Sequence, residues 1–139
     1  MFESMEKAFK LREVNVAEYS PLTLAYIGDC VYELIIRTNL VTAGNAPVNK
    51  LNKKASDLAK AATQAKIIET VMESLSEEEE AVYKRGRNAH SPTKAKNATT
   101  SDYRKATGFE ALIGYLYLQK NSDRIMEIVR SGFEEVKAL

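Results

Sequence analysis

The stretch Pro21-Leu-Thr-Leu-Ala-Tyr-Ile-Gly-Asp-Cys-Val-Tyr-Glu-Leu-Ile-Ile-Arg37 limits what this chain can fold into more than any other. Ser20 is a suitable helix N-cap, and Pro21 suits the first helical position, where no amide hydrogen is needed. Helical periodicity puts Leu24, Ile27, Val31 and Leu34 on one side. Leu22, Ala25, Tyr26, Asp29, Tyr32, Glu33 and Ile36 fall on the other. A helix apolar on both sides is expected to be buried. Asp29 stands in its middle. A buried carboxylate without a partner is costly, so Asp29 calls for a partner group, a metal ion or a water-filled cleft.

The rest of the chain also reads as helices. In residues 1–19, Met5, Ala8, Phe9 and Val16 fit a short helix and connector, or a docking arm. The first long helix is expected over residues 20–38, followed by a turn over 39–46 with Gly44-Asn45 as its breaker. Pro47 then opens an amphipathic, lysine-rich helix in which Val48, Leu51, Ala55, Leu58, Ala62 and Ala65 recur. The pattern continues past a bend through Ile67, Ile68, Val71, Met72 and Leu75. Ser76-Glu-Glu-Glu79 is a capping box that starts a helix through Ala81, Val82 and Tyr83. The run Glu77 to Glu80 complements the positive end of that helix; consecutive residues fan out rather than converge on a metal. Residues 86–100 lack apolar periodicity and read as a long surface loop. Thr99, with Asp102 three residues on, marks a helix running to about residue 120 through Tyr103, Ala106, Phe109, Leu112, Ile113, Leu116 and Tyr117. Asn121-Ser122-Asp123 caps a last helix built on Ile125, Ile128, Val129, Phe133 and Val136. Strand-like alternation is absent. The expected fold is all-α, and 139 residues suit a single domain over 1–139.

An apolar content of 45% with 28% charged residues fits a soluble globular chain, and no apolar run is long enough to span a bilayer. The N-terminus is acidic and interrupted, unlike a secretory signal. Cys30 is the sole cysteine, so no intramolecular disulfide forms, which suits a reducing, cytoplasmic setting. The net charge of +1 hides strong segregation. Residues 50–66 hold five lysines and one acid, 69–80 six acids and no base, and 84–105 seven bases and one acid. Basic segments of this kind can bind a polyanion although the whole chain is nearly neutral.

Glu110 is a second acid in a mostly apolar helix. Small residues flank both acids: Ala25, Gly28 and Cys30 in one helix, Ala106, Gly108, Ala111 and Gly114 in the other. Small residues let helix axes approach closely, which would bring Asp29 and Glu110 face to face; two separate, solvated acids at helix edges are the alternative. Facing carboxylates repel unless a divalent cation lies between them. Ligation by oxygen alone suits Mg2+, or Mn2+.

Tyr26-Ile-Gly-Asp-Cys-Val31 and, much later, Phe109-Glu-Ala-Leu-Ile-Gly-Tyr-Leu-Tyr-Leu118 resemble the two signature helices of the ribonuclease III catalytic domain. The resemblance covers about residues 20–120 and leaves no room for a double-stranded-RNA-binding domain, which points to the Mini branch, where the catalytic domain stands alone. It implies a ribonuclease III-like helical bundle. It also implies that Asp29 and Glu110 are the catalytic, metal-binding carboxylates. Ala25 and Thr107 stand where the fuller family has two more acids, which leaves the number of metals open and keeps a silent RNA-binding domain as the alternative. Glu33, one turn after Asp29, reads first as an ion-pair partner and second as support for the site.

The implied activity is magnesium-dependent hydrolysis of double-stranded RNA to 5′-phosphate products, in maturation of large-subunit (23S) ribosomal RNA precursors. The implied partners are that RNA, a ribosomal protein on the substrate and a second copy of the chain. Tyr26 and Tyr32 are candidates for the homodimer surface, or for the monomer core. Given the resemblance, Arg85, Arg87, Asn88, His90, Ser91, Lys94 and Lys96 are the expected RNA contacts; by itself the segment is a solvated basic loop. Lys50, Lys53, Lys54 and Lys60 form a second basic face.

Overall fold

The computed structural model describes residues 1–89 and 100–137. The described residues form seven α-helices: α1 (Phe2–Phe9), α2 (Pro21–Ala43), α3 (Val48–Ala59), α4 (Ala61–Val71), α5 (Glu77–Asn88), α6 (Thr100–Leu118) and α7 (Ser122–Glu135). Short 3-10 turns lie at Val16–Glu18 and Met72–Ser74. The all-α expectation holds, and no described helix is long and apolar enough to cross a membrane.

Local chemistry sets three of the helix starts. Ser20 caps α2, its Oγ accepting the Thr23 amide hydrogen, and Pro21 occupies the first turn. The Ser76–Glu79 capping box is complete: Ser76 Oγ accepts from the Glu79 amide at 3.1 Å, and Glu79 Oε1 from the Ser76 amide at 2.9 Å. Asn121 caps α7 by accepting from Arg124 N. Glu79 does more than complement a helix end. It is buried and receives two hydrogen bonds of 2.8 Å from the Arg124 guanidinium, which also donates to Ser74 O. These contacts tie the starts of α5 and α7 together and hold the Glu79 carboxyl below the usual carboxylate range.

Helix α6 is the hub, packing against α2, α4, α5 and α7. It buries Ala106 to Phe109, Ala111 to Gly114 and Leu116. Its closest neighbour is α2. A Cβ added at Gly28 would lie 1.8 Å from Glu110 O, and one at Gly114 1.9 Å from Leu24 O. Glycine at these two positions lets one helix backbone rest directly on the other. Around this contact Tyr32, Ile36, Ile67, Ile68, Phe109, Leu112 and Ile128 form the main core, with the rings of Tyr32 and Phe109 edge to face at 5.2 Å.

Three boundaries differ from the sequence reading. Helix α2 continues to Ala43, with the Thr38, Asn39 and Thr42 side chains donating to helix carbonyls at Leu34, Ile35 and Thr38. Gly86 lies inside α5 rather than in a loop; it is buried against Gly108 and Ala111 of α6, where a side chain would collide. A break at Lys60 separates α3 from α4 and shifts the helical phase, so Gln64 and Ala65 turn inward and Ala62 outward.

Gly114→Ala is expected to cost about 3 kcal/mol of stability, because a rigid carbonyl must move. Ala81→Gly, at an exposed helical site, is expected to cost only about 1 kcal/mol. Urea unfolding of both variants checks the contact; equal losses would show that the two backbones do not meet at Gly114.

Candidate active site

The Gly28 contact places Asp29, the next residue, at the seam between α2 and α6, level with Glu110. The two carboxyl groups lie close enough for Asp29 to act on Glu110. They share a cleft of about 600 Å³ lined also by Ala25, Tyr26, Tyr103 and Thr107. Asp29 is exposed to this cleft and Glu110 is partly buried. Burial, then the hydrogen bond and charge of Asp29, push the Glu110 pKa up to about 8, while a hydrogen bond from Gln64 pulls it down. Burial beside a second carboxyl group favours the neutral form of Glu110 when no cation is bound.

Gln64 escaped the sequence reading. It is 3% exposed, and its Nε2 donates to Ala59 O at 2.8 Å and to Glu110 Oε2 at 3.3 Å. Its Oε1 is buried with no hydrogen-bond partner. The available signal was a polar residue in the stripe of α4 that also buries Ala65, Ile67, Ile68 and Val71. The neighbouring lysines and alanines drew the helical register one step away.

No group of three or more His, Cys, Asp or Glu side chains converges among the described residues. The cleft itself offers two carboxyl groups and the wall at Thr107, with the buried amide of Gln64 behind Glu110. The Thr107 hydroxyl donates to Tyr103 O at 3.0 Å. An all-oxygen set with two acids fits a hard divalent cation that completes its shell with water.

Other candidates separate by environment. Tyr32 belongs to the core, not to a surface: it is fully buried and its hydroxyl donates to Leu58 O at 2.6 Å. Tyr26 is 82% exposed. Glu33 pairs with Arg37 at 3.1 Å, the ion-pair reading. Arg85, Arg87 and Asn88 lie on the last turn of α5 rather than in a loop. Arg85 is exposed; Arg87 stacks over the Tyr83 ring and donates to Asn88 Oδ1. His90, Ser91, Lys94 and Lys96 fall outside the described residues. Lys50, Lys53, Lys54 and Lys60 are exposed on and just after α3.

The bundle, with its two acids meeting across α2 and α6, is a ribonuclease III-type fold. The family model for the ribonuclease III domain matches residues 22–121. A solved structure from Fusobacterium nucleatum superposes with a TM-score of 0.78 at 32% identity, covering 85% of this chain and 91% of that one. Mini-ribonuclease 3 of Brevibacillus brevis is 46% identical over 96% of this chain and 98% of its own length. Mini-ribonuclease 3 of Clostridium tetani is 49% identical over 84% of this chain and 78% of its own. The chain belongs to the Mini-ribonuclease III family, a group of ribonuclease III-like nucleases.

The raised Glu110 pKa has a consequence for stability. The unfolded chain releases this proton near the ordinary value of 4.5, the folded one near 8. The neutral carboxyl therefore stabilises the metal-free fold below about pH 4.5, and that contribution is lost as the pH rises to about 8. In EDTA, the Tm of the wild type is expected to fall over this window relative to Glu110→Gln. Parallel Tm profiles for the two proteins would contradict the assignment.

Proposed function

We propose that this chain is a magnesium-dependent endoribonuclease that hydrolyses phosphodiester bonds in double-stranded RNA and leaves 5′-phosphate ends. The observation that carries this reading is the contact of the Asp29 and Glu110 carboxyl groups at an open cleft. Family membership supports it. Asp29 and Glu110 would hold the cation, with Mn2+ as a substitute. A divalent cation there supplies charge neutralisation at the scissile phosphate and a more acidic water. Asp29, exposed in the cleft, presents its oxygens to the substrate side, while Glu110 is anchored from behind by Gln64.

Arg85, Arg87 and Asn88, followed by His90, Ser91, Lys94 and Lys96, supply phosphate and 2′-hydroxyl contacts, with the lysines of α3 as a second basic face. The substrate is the duplex stem of a large-subunit (23S) ribosomal RNA precursor, with a ribosomal protein on it, and the setting is cytoplasmic. The whole chain acts as one catalytic unit. It works as a homodimer through the outer face of α2, where Tyr26, Cys30, Leu34 and Val41 recur at helical spacing and are exposed. One observation favours a second reading, a silent RNA-binding domain: Ala25 and Thr107 line the cleft where the fuller family has acids.

A labelled RNA duplex and a precursor stem decide between these readings. Cleavage is expected with Mg2+ and not with EDTA, and is expected to fall about a hundredfold or more in Asp29→Asn and Glu110→Gln while duplex binding persists. Binding without cleavage by the wild type would select the silent domain. Leu34→Glu is expected to convert the dimer to a folded monomer in light scattering. A wild type that is already monomeric at all concentrations would refute the α2 interface.

A further inference from the structure

Gln64 presents a puzzle that packing does not solve. Its side chain is 3% exposed, yet its Oε1 has no hydrogen-bond donor. Leaving a buried polar oxygen unsatisfied costs about 1–3 kcal/mol. A leucine or methionine of similar volume would fill the space without that cost.

The orientation of the amide follows from its neighbours. Ala59 O can only accept, so the group facing it at 2.8 Å is the NH2, and the oxygen is the free end. The same NH2 lies 3.3 Å from Glu110 Oε2. Both amide heteroatoms sit on one carbon, so Oε1 lies within about 6 Å of that carboxylate oxygen. The hydroxyls on the flanking helices do not serve it: Tyr32 donates to Leu58 O and Thr107 to Tyr103 O. The missing donor therefore fits a group that arrives with a ligand at Glu110. A coordinated water is such a donor, and hard divalent cations keep several.

We propose that Gln64 is a positioning residue of the cation site: its Nε2 holds Glu110 in place, and its Oε1 accepts a hydrogen bond from water in the cation's shell. This rests on the cation reading above and deepens it. A neutral amide adds an oxygen without adding a third negative charge beside Asp29 and Glu110, where further repulsion would build up. The Ala59 contact fixes the amide to the end of α3, so the side chain is held beside Glu110 before any cation arrives.

The test is calorimetric titration of Mn2+ alone into the metal-free full-length chain, with circular dichroism and the Tm in EDTA to establish folding. Asp29→Asn is expected to abolish saturable binding. Gln64→Leu is expected to bind about tenfold more weakly while remaining folded. A Gln64→Leu protein within about twofold of wild type overturns the proposal, while loss of binding in Asp29→Asn leaves the cation site standing. A wild type without Asp29-dependent binding overturns both. If Gln64→Leu does not fold, Gln64→Met takes its place, with the same outcomes expected.

Discussion

The rest of the structure depends on the direct contact of the α2 and α6 backbones. Packed helices usually keep their axes 8–10 Å apart, because side chains separate them. Gly28 and Gly114 remove that spacer from both partners: the path of each is occupied by a carbonyl of the other helix, at Glu110 and Leu24. The contact sets the rotation of both helices. With Gly28 turned to α6, Leu24 and Tyr32 follow into the core, and Asp29 comes to the edge of the seam. With Gly114 turned to α2, Glu110 lies one helical turn back at the same seam. The site is thus a by-product of how the two helices pack, and neither acid has to be carried by a loop.

That placement costs stability. Glu110 sits where burial opposes its charge and Asp29 opposes it further. The opposition is useful in a cation site, because charge repulsion in the empty site is relieved when the cation binds. Two contacts elsewhere in the bundle supply rigidity without touching the acids. The two-pronged bond between Arg124 and buried Glu79 joins the starts of α5 and α7, both of which pack on α6. Tyr32 bonds Leu58 O across from α2 to α3. Each satisfies a buried polar group while fixing the position of a helix that surrounds the site.

Features decided by a few adjacent residues were legible from the sequence. The Ser20 and Asn121 caps and the Ser76–Glu79 box stand as read, whereas Asp29, expected inside a buried helix, is exposed because one face of α2 is open. Features decided by residues distant in sequence were not. Gly86 reads as the start of a loop until Gly108 and Ala111 are placed opposite it. Asn39 and Thr42 fall in the expected turn until their side chains are seen bonding carbonyls one turn back. Tyr26 and Tyr32 are equivalent by composition. Only the α2–α6 contact makes one 82% exposed and the other fully buried. Gln64 was hidden for a related reason: the break at Lys60 resets the helical phase, and periodicity carried across that break points to Ala62 instead.

The break at Lys60 also links the fold to the chemistry. A helix leaves its last carbonyls without intrahelical partners. At the end of α3, Thr63 Oγ1 donates to Asp57 O and Gln64 Nε2 donates to Ala59 O. These two side chains do the work of a C-cap from the first turn of the next helix. Gln64 can reach Glu110 from the same amide only because α4 restarts at this angle. A continuous helix from α3 into α4 would satisfy the Ala59 carbonyl with its own backbone and turn Gln64 elsewhere. The interruption therefore serves two purposes: it closes α3, and it brings a neutral oxygen-bearing side chain to a pair of acids whose neighbours in the cleft, Ala25 and Thr107, add no charge.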